Sequence, residues 1–96
     1  MNIEEYKPVI IETLKELKIE YTEVLITHSY INHTGKWMGY YILSIISEDI
    51  VDLINKELII RESLNEKGIF TMSLDVVDLP YNNKGLRFTI GEINNG

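Results

Sequence analysis

The sequence predicts an α+β protein in the order α-β-β-α-β-β, a four-stranded antiparallel sheet with two helices on one face. Three observations carry this. Apolar residues recur at helical spacing near the N-terminus and again in the middle of the chain. After each helical stretch the period drops to two, over two runs separated by turn residues. Finally, 96 residues without cysteine leave room for one core and no disulfide to replace it. The expected organisation is one domain over residues 1–92 with a frayed tail at 93–96.

Asn2 followed by Glu5 has the form of a capping box. On a helical wheel Ile3, Tyr6, Val9, Ile10, Ile11, Leu14 and Leu17 share one face, with Glu4, Glu5, Glu12, Lys15 and Glu16 opposite. A helix over about residues 3–18 follows. Pro8 falls on its solvent side or marks an alternative start.

From Val24 to Ile46 the chain reads as a hairpin. Val24, Ile26, His28 and Tyr30 alternate with Leu25, Thr27, Ser29 and Ile31, and Asn32-His33-Thr34-Gly35 is a turn signal. Trp37 to Ile46 is rich in aromatic and β-branched residues. A four-residue loop pairs Ile31 with Lys36, Tyr30 with Trp37 and His28 with Gly39.

Ser47 then caps a second helix with Glu48 and Asp49 in its first turn. Asp52 with Lys56, and Glu57 with Arg61, are spaced as i,i+4 pairs, and Gly68 is the stop signal. Two further strands follow. In the first, Phe70, Met72, Leu74 and Val76 alternate with Thr71, Ser73 and Asp75. In the second, Leu86, Phe88 and Ile90 alternate with Arg87 and Thr89. The stretch from Leu79 to Gly85 connects them as a loop.

Fifteen acidic against nine basic residues give a net charge of −6. Such a chain lacks the basic stripe of proteins that grip phosphate backbones, so nucleic acid is not the expected partner. No apolar run approaches the ~20 residues needed to span a bilayer, and no signal segment is present, so a cytoplasmic protein without membrane contact is expected. Sixteen isoleucines and eight asparagines beside no alanine or glutamine point to an AT-rich coding sequence, as in a low-GC microbe, a virus such as a phage, or a mobile element.

The candidate site is the outward face of the first hairpin. If Val24, Ile26, Tyr30, Trp37, Tyr41, Leu43 and Ile45 face the helices, Leu25, Ile31, Met38, Tyr40 and Ile42 face out. A one-sided antiparallel sheet ordinarily presents polar residues there. The second hairpin is expected to do so, through Thr71, Ser73, Asp75, Arg87 and Thr89. Ile31, Lys36, Met38, Tyr40 and Ile42 are therefore the expected partner-binding residues, on a protein partner or a second copy. No acidic residue lies between Val24 and Ser47, so this hairpin is neutral to basic on an otherwise acidic chain.

Other constellations are weaker. His33, Lys36, Trp37 and Arg87 could contact an anion or ligand. His28 reads as a core histidine. Glu57 and Arg61 fall near the middle of an apolar arc and form either a functional polar pair or a structural one whose ends reach water. Two histidines without cysteine make no metal set, and Asp75, Asp78, Asn82 and Asn83 read as turn chemistry. No phosphate loop, nucleophile elbow or zinc-binding helix motif is present. No cofactor and no catalysis are expected. The leading expectation is a small acidic protein-binding module, an inhibitor or regulator. The alternatives are a homodimeric ligand- or nucleotide-binding domain and a self-assembling, chaperone-like dimer.

Overall fold

A computed structural model describes residues 2–28, 40–81 and 83–92. The elements run α1 (Ile3–Glu16), β1 (Glu23–His28), β2 (Tyr41–Ser47), α2 (Ile50–Asn55), α3 (Glu57–Glu66), β3 (Ile69–Asp78) and β4 (Lys84–Glu92). The four strands form one antiparallel sheet in the order β1-β2-β4-β3, which leaves β1 and β3 at the edges.

The start and end of α1 follow from local chemistry. The Glu5 amide donates to Asn2 Oδ1 at 3.0 Å, so Asn2 caps the helix as its sequence signal requires. Pro8 lies inside the helix on its exposed side. The helix closes in a double bond pattern, with Lys18 N donating to Lys15 O and Ile19 N to Leu14 O. Lys18 takes the left-handed conformation there, at φ 55°.

The expected single second helix is two. Lys56 interrupts it, with φ −99° and ψ 4°, so α2 and α3 meet at a break. Ser47 remains the last residue of β2. Its hydroxyl accepts from the Asp49 amide at 3.0 Å, while the Asp49 carboxylate caps α2 by accepting from Asp52 N at 3.2 Å. The Asp52–Lys56 pair forms at 3.0 Å. Gly68, at φ +85°, ends α3 as predicted, in a conformation that favours glycine.

All three helices pack on one side of the sheet. Tyr6, Ile10 and Leu14 of α1, Leu53 of α2, and Ile60 and Leu64 of α3 share one core with Val24, Leu43, Ile45, Phe88 and Ile90. The Tyr6 and Tyr41 rings meet edge-on at 5.4 Å, and burial, then Tyr41, raise the Tyr6 hydroxyl pKa. Lys67 ties α1 to the end of α3. Its ammonium donates to the buried Thr13 hydroxyl at 2.7 Å and to Glu16 at 3.0 Å, and Thr13 in turn donates to Val9 O.

One predicted register and one predicted strand face change. Tyr41, not Gly39, lies opposite His28. The shift is two residues, so every described side chain of the two strands keeps its predicted face. His28 is exposed at the strand end, with its ring 5.4 Å from that of Tyr41, and is therefore not a core histidine. The second correction is larger: β3 is turned over. Ile69 and Thr71 are buried on the helix side, while Phe70 and Met72, expected inside, are exposed. An irregularity between Ser73 and Asp75 makes Leu74 an extra residue against β4. It restores the outward direction of Asp75.

Candidate interaction face

The sheet face away from the helices can be built row by row from the register. At one end Glu23, Ile46, Gly85 and Val77 lie side by side across the four strands. Next come Leu25, Ser44, Arg87 and Asp75, then Thr27, Ile42, Thr89 and Met72. In the last row Phe70 lies opposite Gly91, and the Tyr40 side chain stands over that glycine, 3.9 Å from where a Cβ would be.

The two ends of this face differ. At the Gly85 end Ile46 is buried although it points away from the helices, because Val77 and Leu79 close over the glycine beside it. Alternating side chains pack there into a small second cluster. At the opposite end the apolar groups stay open. Phe70 is 48% exposed and Met72 53%, with Tyr40 and Ile42 half-buried on the far side of β4 and Leu25 at the other edge of the sheet.

Between the two ends stands a charged pair. Arg87 donates from Nε to Asp75 Oδ1 at 2.6 Å and from Nη2 to Oδ2 at 2.7 Å. This two-point grip neutralises both groups and holds the guanidinium in one orientation. The hydrogen bond from Arg87 holds the Asp75 carboxyl below the usual carboxylate range. The open end of the face thus carries apolar groups on either side of Thr89, next to a fixed, neutral ion pair, and aromatic residues and methionine are enriched at protein interfaces.

Of the residues singled out in the sequence, Tyr40, Ile42 and Arg87 lie on this face. Ile31, His33, Lys36, Trp37 and Met38 lie outside the described residues. The expected polar outer face of the second hairpin holds for Asp75, Arg87 and Thr89 but not for Thr71 and Ser73, which point to the helices while Phe70 and Met72 take their places. Glu57 and Arg61 explain why. Arg61 donates to the Thr71 hydroxyl at 3.4 Å, the Thr71 carbonyl at 3.3 Å and the Ser73 hydroxyl at 3.4 Å, and the Ser73 hydroxyl donates to Glu57. The pair is joined through a strand rather than directly. Phe70 and Met72 are the residues missed from sequence, and the signal for them was this polar stripe on α3.

Elsewhere the surface offers less. A depression beside the α1–β1 turn gathers Glu20, Glu48 and Asp49. Among the described residues no group of three or more histidine, cysteine, aspartate or glutamate side chains could hold a metal ion. Asp78 is paired with Lys84 at 3.2 Å. Among the described residues no helix is long and apolar enough to cross a membrane. The chain matches no family model, no curated protein and no solved structure.

Proposed function

We propose that this protein is a binding module whose outer sheet face docks a protein partner. The observation that carries the reading is the open end of that face, where Phe70, Met72, Tyr40 and Ile42 stand beside the Arg87–Asp75 pair with no helix over them among the described residues. Leaving two large apolar side chains half in water costs stability that a partner's surface would return. The partner presents an apolar segment within a basic surround, because a chain of net charge −6 steers basic surfaces toward itself while the neutral face itself offers no repulsion. An inhibitor or regulator acting in the cytoplasm is the form of activity that suits a chain of this size and charge. It works by occupying a surface, without a reaction of its own.

Photo-crosslinking tests this. A benzophenone side chain at position 72 should capture a discrete protein in cells, and the same probe at Glu12, on α1, should not. Phe70→Ser with Met72→Ser should then abolish capture by a probe at position 42. Equal capture from positions 72 and 12, or a probe at 42 indifferent to the double substitution, would exclude the face.

A further inference from the structure

We infer that the exposed side of α2 and α3 is a second docking surface, fitted to a basic amphipathic helix of another protein. The inference does not rest on the outer sheet face, because the helices pack on the other side of the sheet.

The helices differ in what they leave in water. α1 exposes Pro8 and charged residues, and none of its large apolar side chains is exposed. α2 and α3 expose Val51, Ile54, Leu58 and Ile59, with Val51 at 63% and Leu58 at 65%. Val51, Ile54 and Leu58 follow at spacings of three and four, so they lie along one stripe of the helix surface. The break at Lys56 leaves that stripe in phase. Lys56 N still donates to Asp52 O at 3.1 Å, and Ile60 N to Lys56 O at 3.0 Å. Single exposed apolar residues are ordinary on a surface, whereas a continuous stripe marks a place of contact.

The charges beside the stripe select its occupant. Glu62 lies one turn beyond Leu58, and Glu66 one turn beyond Glu62, so Ile54, Leu58, Glu62 and Glu66 form a single ridge. Its first half is apolar and its second half acidic. Both glutamates are exposed, and among the described residues neither is in an ion pair. The bases nearby are engaged elsewhere. Lys56 holds Asp52 at 3.0 Å, Arg61 reaches Thr71 and Ser73 of β3, and Lys67 reaches Thr13 and Glu16 of α1. The last turn of α3 carries no basic residue, so two carboxylates stand at the negative end of the helix dipole. Cations from outside the chain would relieve both.

The backbone of a helix is bonded internally, so this surface offers side chains and no strand edge. A ridge of this kind packs into the groove of another helix. The fitting partner has apolar residues over two turns, followed on the same face by lysine or arginine over the next two. A second copy placed symmetrically would bring its own Glu62 and Glu66 to the contact, and an anionic lipid surface would meet the same repulsion.

The test uses two fluorescein-labelled synthetic peptides of leucine and lysine with identical composition. One carries its leucines and then its lysines along a single helical face. In the other the lysines are moved to the opposite face. Fluorescence anisotropy should show the first binding the parent chain at least about tenfold more tightly than the second. Val51→Ser with Leu58→Ser should weaken that binding at least about tenfold. Glu62→Gln with Glu66→Gln should weaken it about fivefold and flatten its dependence on salt. Phe70→Ser with Met72→Ser should leave it unchanged, which separates this surface from the sheet face. Circular dichroism checks that each variant is folded. Should the serine pair not fold, a photo-crosslinker among the leucines of the first peptide decides on the parent chain, where it should label residues 50–66. Equal affinity for the two peptides, indifference to the serine or the glutamine pair, or a label on β3 or β4 would each overturn the inference. So would a parent chain that sediments as a dimer and is released to monomer by the serine pair.

Discussion

Gly85→Ala probes whether the Ile46–Val77–Leu79 cluster closes one end of the outer face. The added Cβ would lie 3.2 Å from Val77 Cγ2, 3.7 Å from Leu79 Cδ1 and 3.9 Å from Ile46 Cγ1. Only the first contact is too close. Val77 is β-branched and stiff about χ1, so it cannot turn the methyl aside cheaply. Overpacking of this kind costs about 1–3 kcal/mol, and the half-buried positions of Val77 and Leu79 place the cost at the low end. Against it stands a gain of roughly 0.5–1 kcal/mol for replacing glycine in a strand. The net expectation is a loss of no more than about 0.5 kcal/mol, or a fall in Tm of at most about 2–4 °C. In a Val77→Ala background the clash is gone, and the same change should stabilise by about 0.5–1 kcal/mol. Urea unfolding of the four chains, read at constant m-value, gives a coupling of at least about 1 kcal/mol. Equal effects of Gly85→Ala in both backgrounds would show that the cluster does not close over this glycine, and the docking face would then extend to that end.

Other expectations follow from the same contacts. Phe70→Ser and Met72→Ser remove side chains already half in water, so each should cost folding only about 1 kcal/mol. Together they should weaken partner binding by about 2 kcal/mol, some thirtyfold, measured by titration calorimetry on the captured partner. Lys67→Met should cost about 1 kcal/mol in urea unfolding, because it removes a donor from the buried Thr13 hydroxyl and leaves that oxygen only its bond to Val9 O. The Asp75 carboxyl, held low by Arg87, binds a proton more weakly folded than unfolded. Its contribution is therefore present at neutral pH and lost as pH falls below about 4. Urea midpoints from pH 7 to 2.5 should converge for the parent and Asp75→Asn at the acid end; curves that stay parallel throughout would refute this.

What could be read from the sequence was local. Asn2 sits three residues before the amide it caps, so α1 begins where its own side chains say. Among the described residues the first hairpin's faces are as predicted despite a register two residues off, because Val24, Ile26, Tyr41, Leu43 and Ile45 keep their parity under any even shift. The break at Lys56 was hidden for the opposite reason. Asp52 and Lys56 do form their helical ion pair, and nothing in their spacing reports that the backbone leaves the helix there.

The reversal of β3 was hidden because alternation defines two faces without saying which is inside. Pointing Phe70, Met72 and Leu74 inward would bury more apolar surface. It would also set Glu57 and Arg61 of α3 against those side chains, with nothing to accept from the guanidinium. Burying an unpartnered charge costs several kcal/mol, while leaving Phe70 and Met72 half exposed forfeits about 1 kcal/mol each. The cheaper fold turns Thr71 and Ser73 toward Arg61 and sends the apolar residues out. Asp75 is then on the wrong side for Arg87, and the extra residue at Leu74 corrects it. Two charges on one helix thereby account for the polar lining of β3, its irregularity and the apolar end of the outer face. The proposed docking surface is, on this argument, a consequence of Glu57 and Arg61. Replacing both with leucine, together with Thr71→Val and Ser73→Val, removes the reason to expose Phe70 and Met72 without making the strand apolar on one side only. If the energetics above are right, Thr71→Val and Ser73→Val in the parent chain should destabilise, and the same pair in the Glu57→Leu, Arg61→Leu background should not.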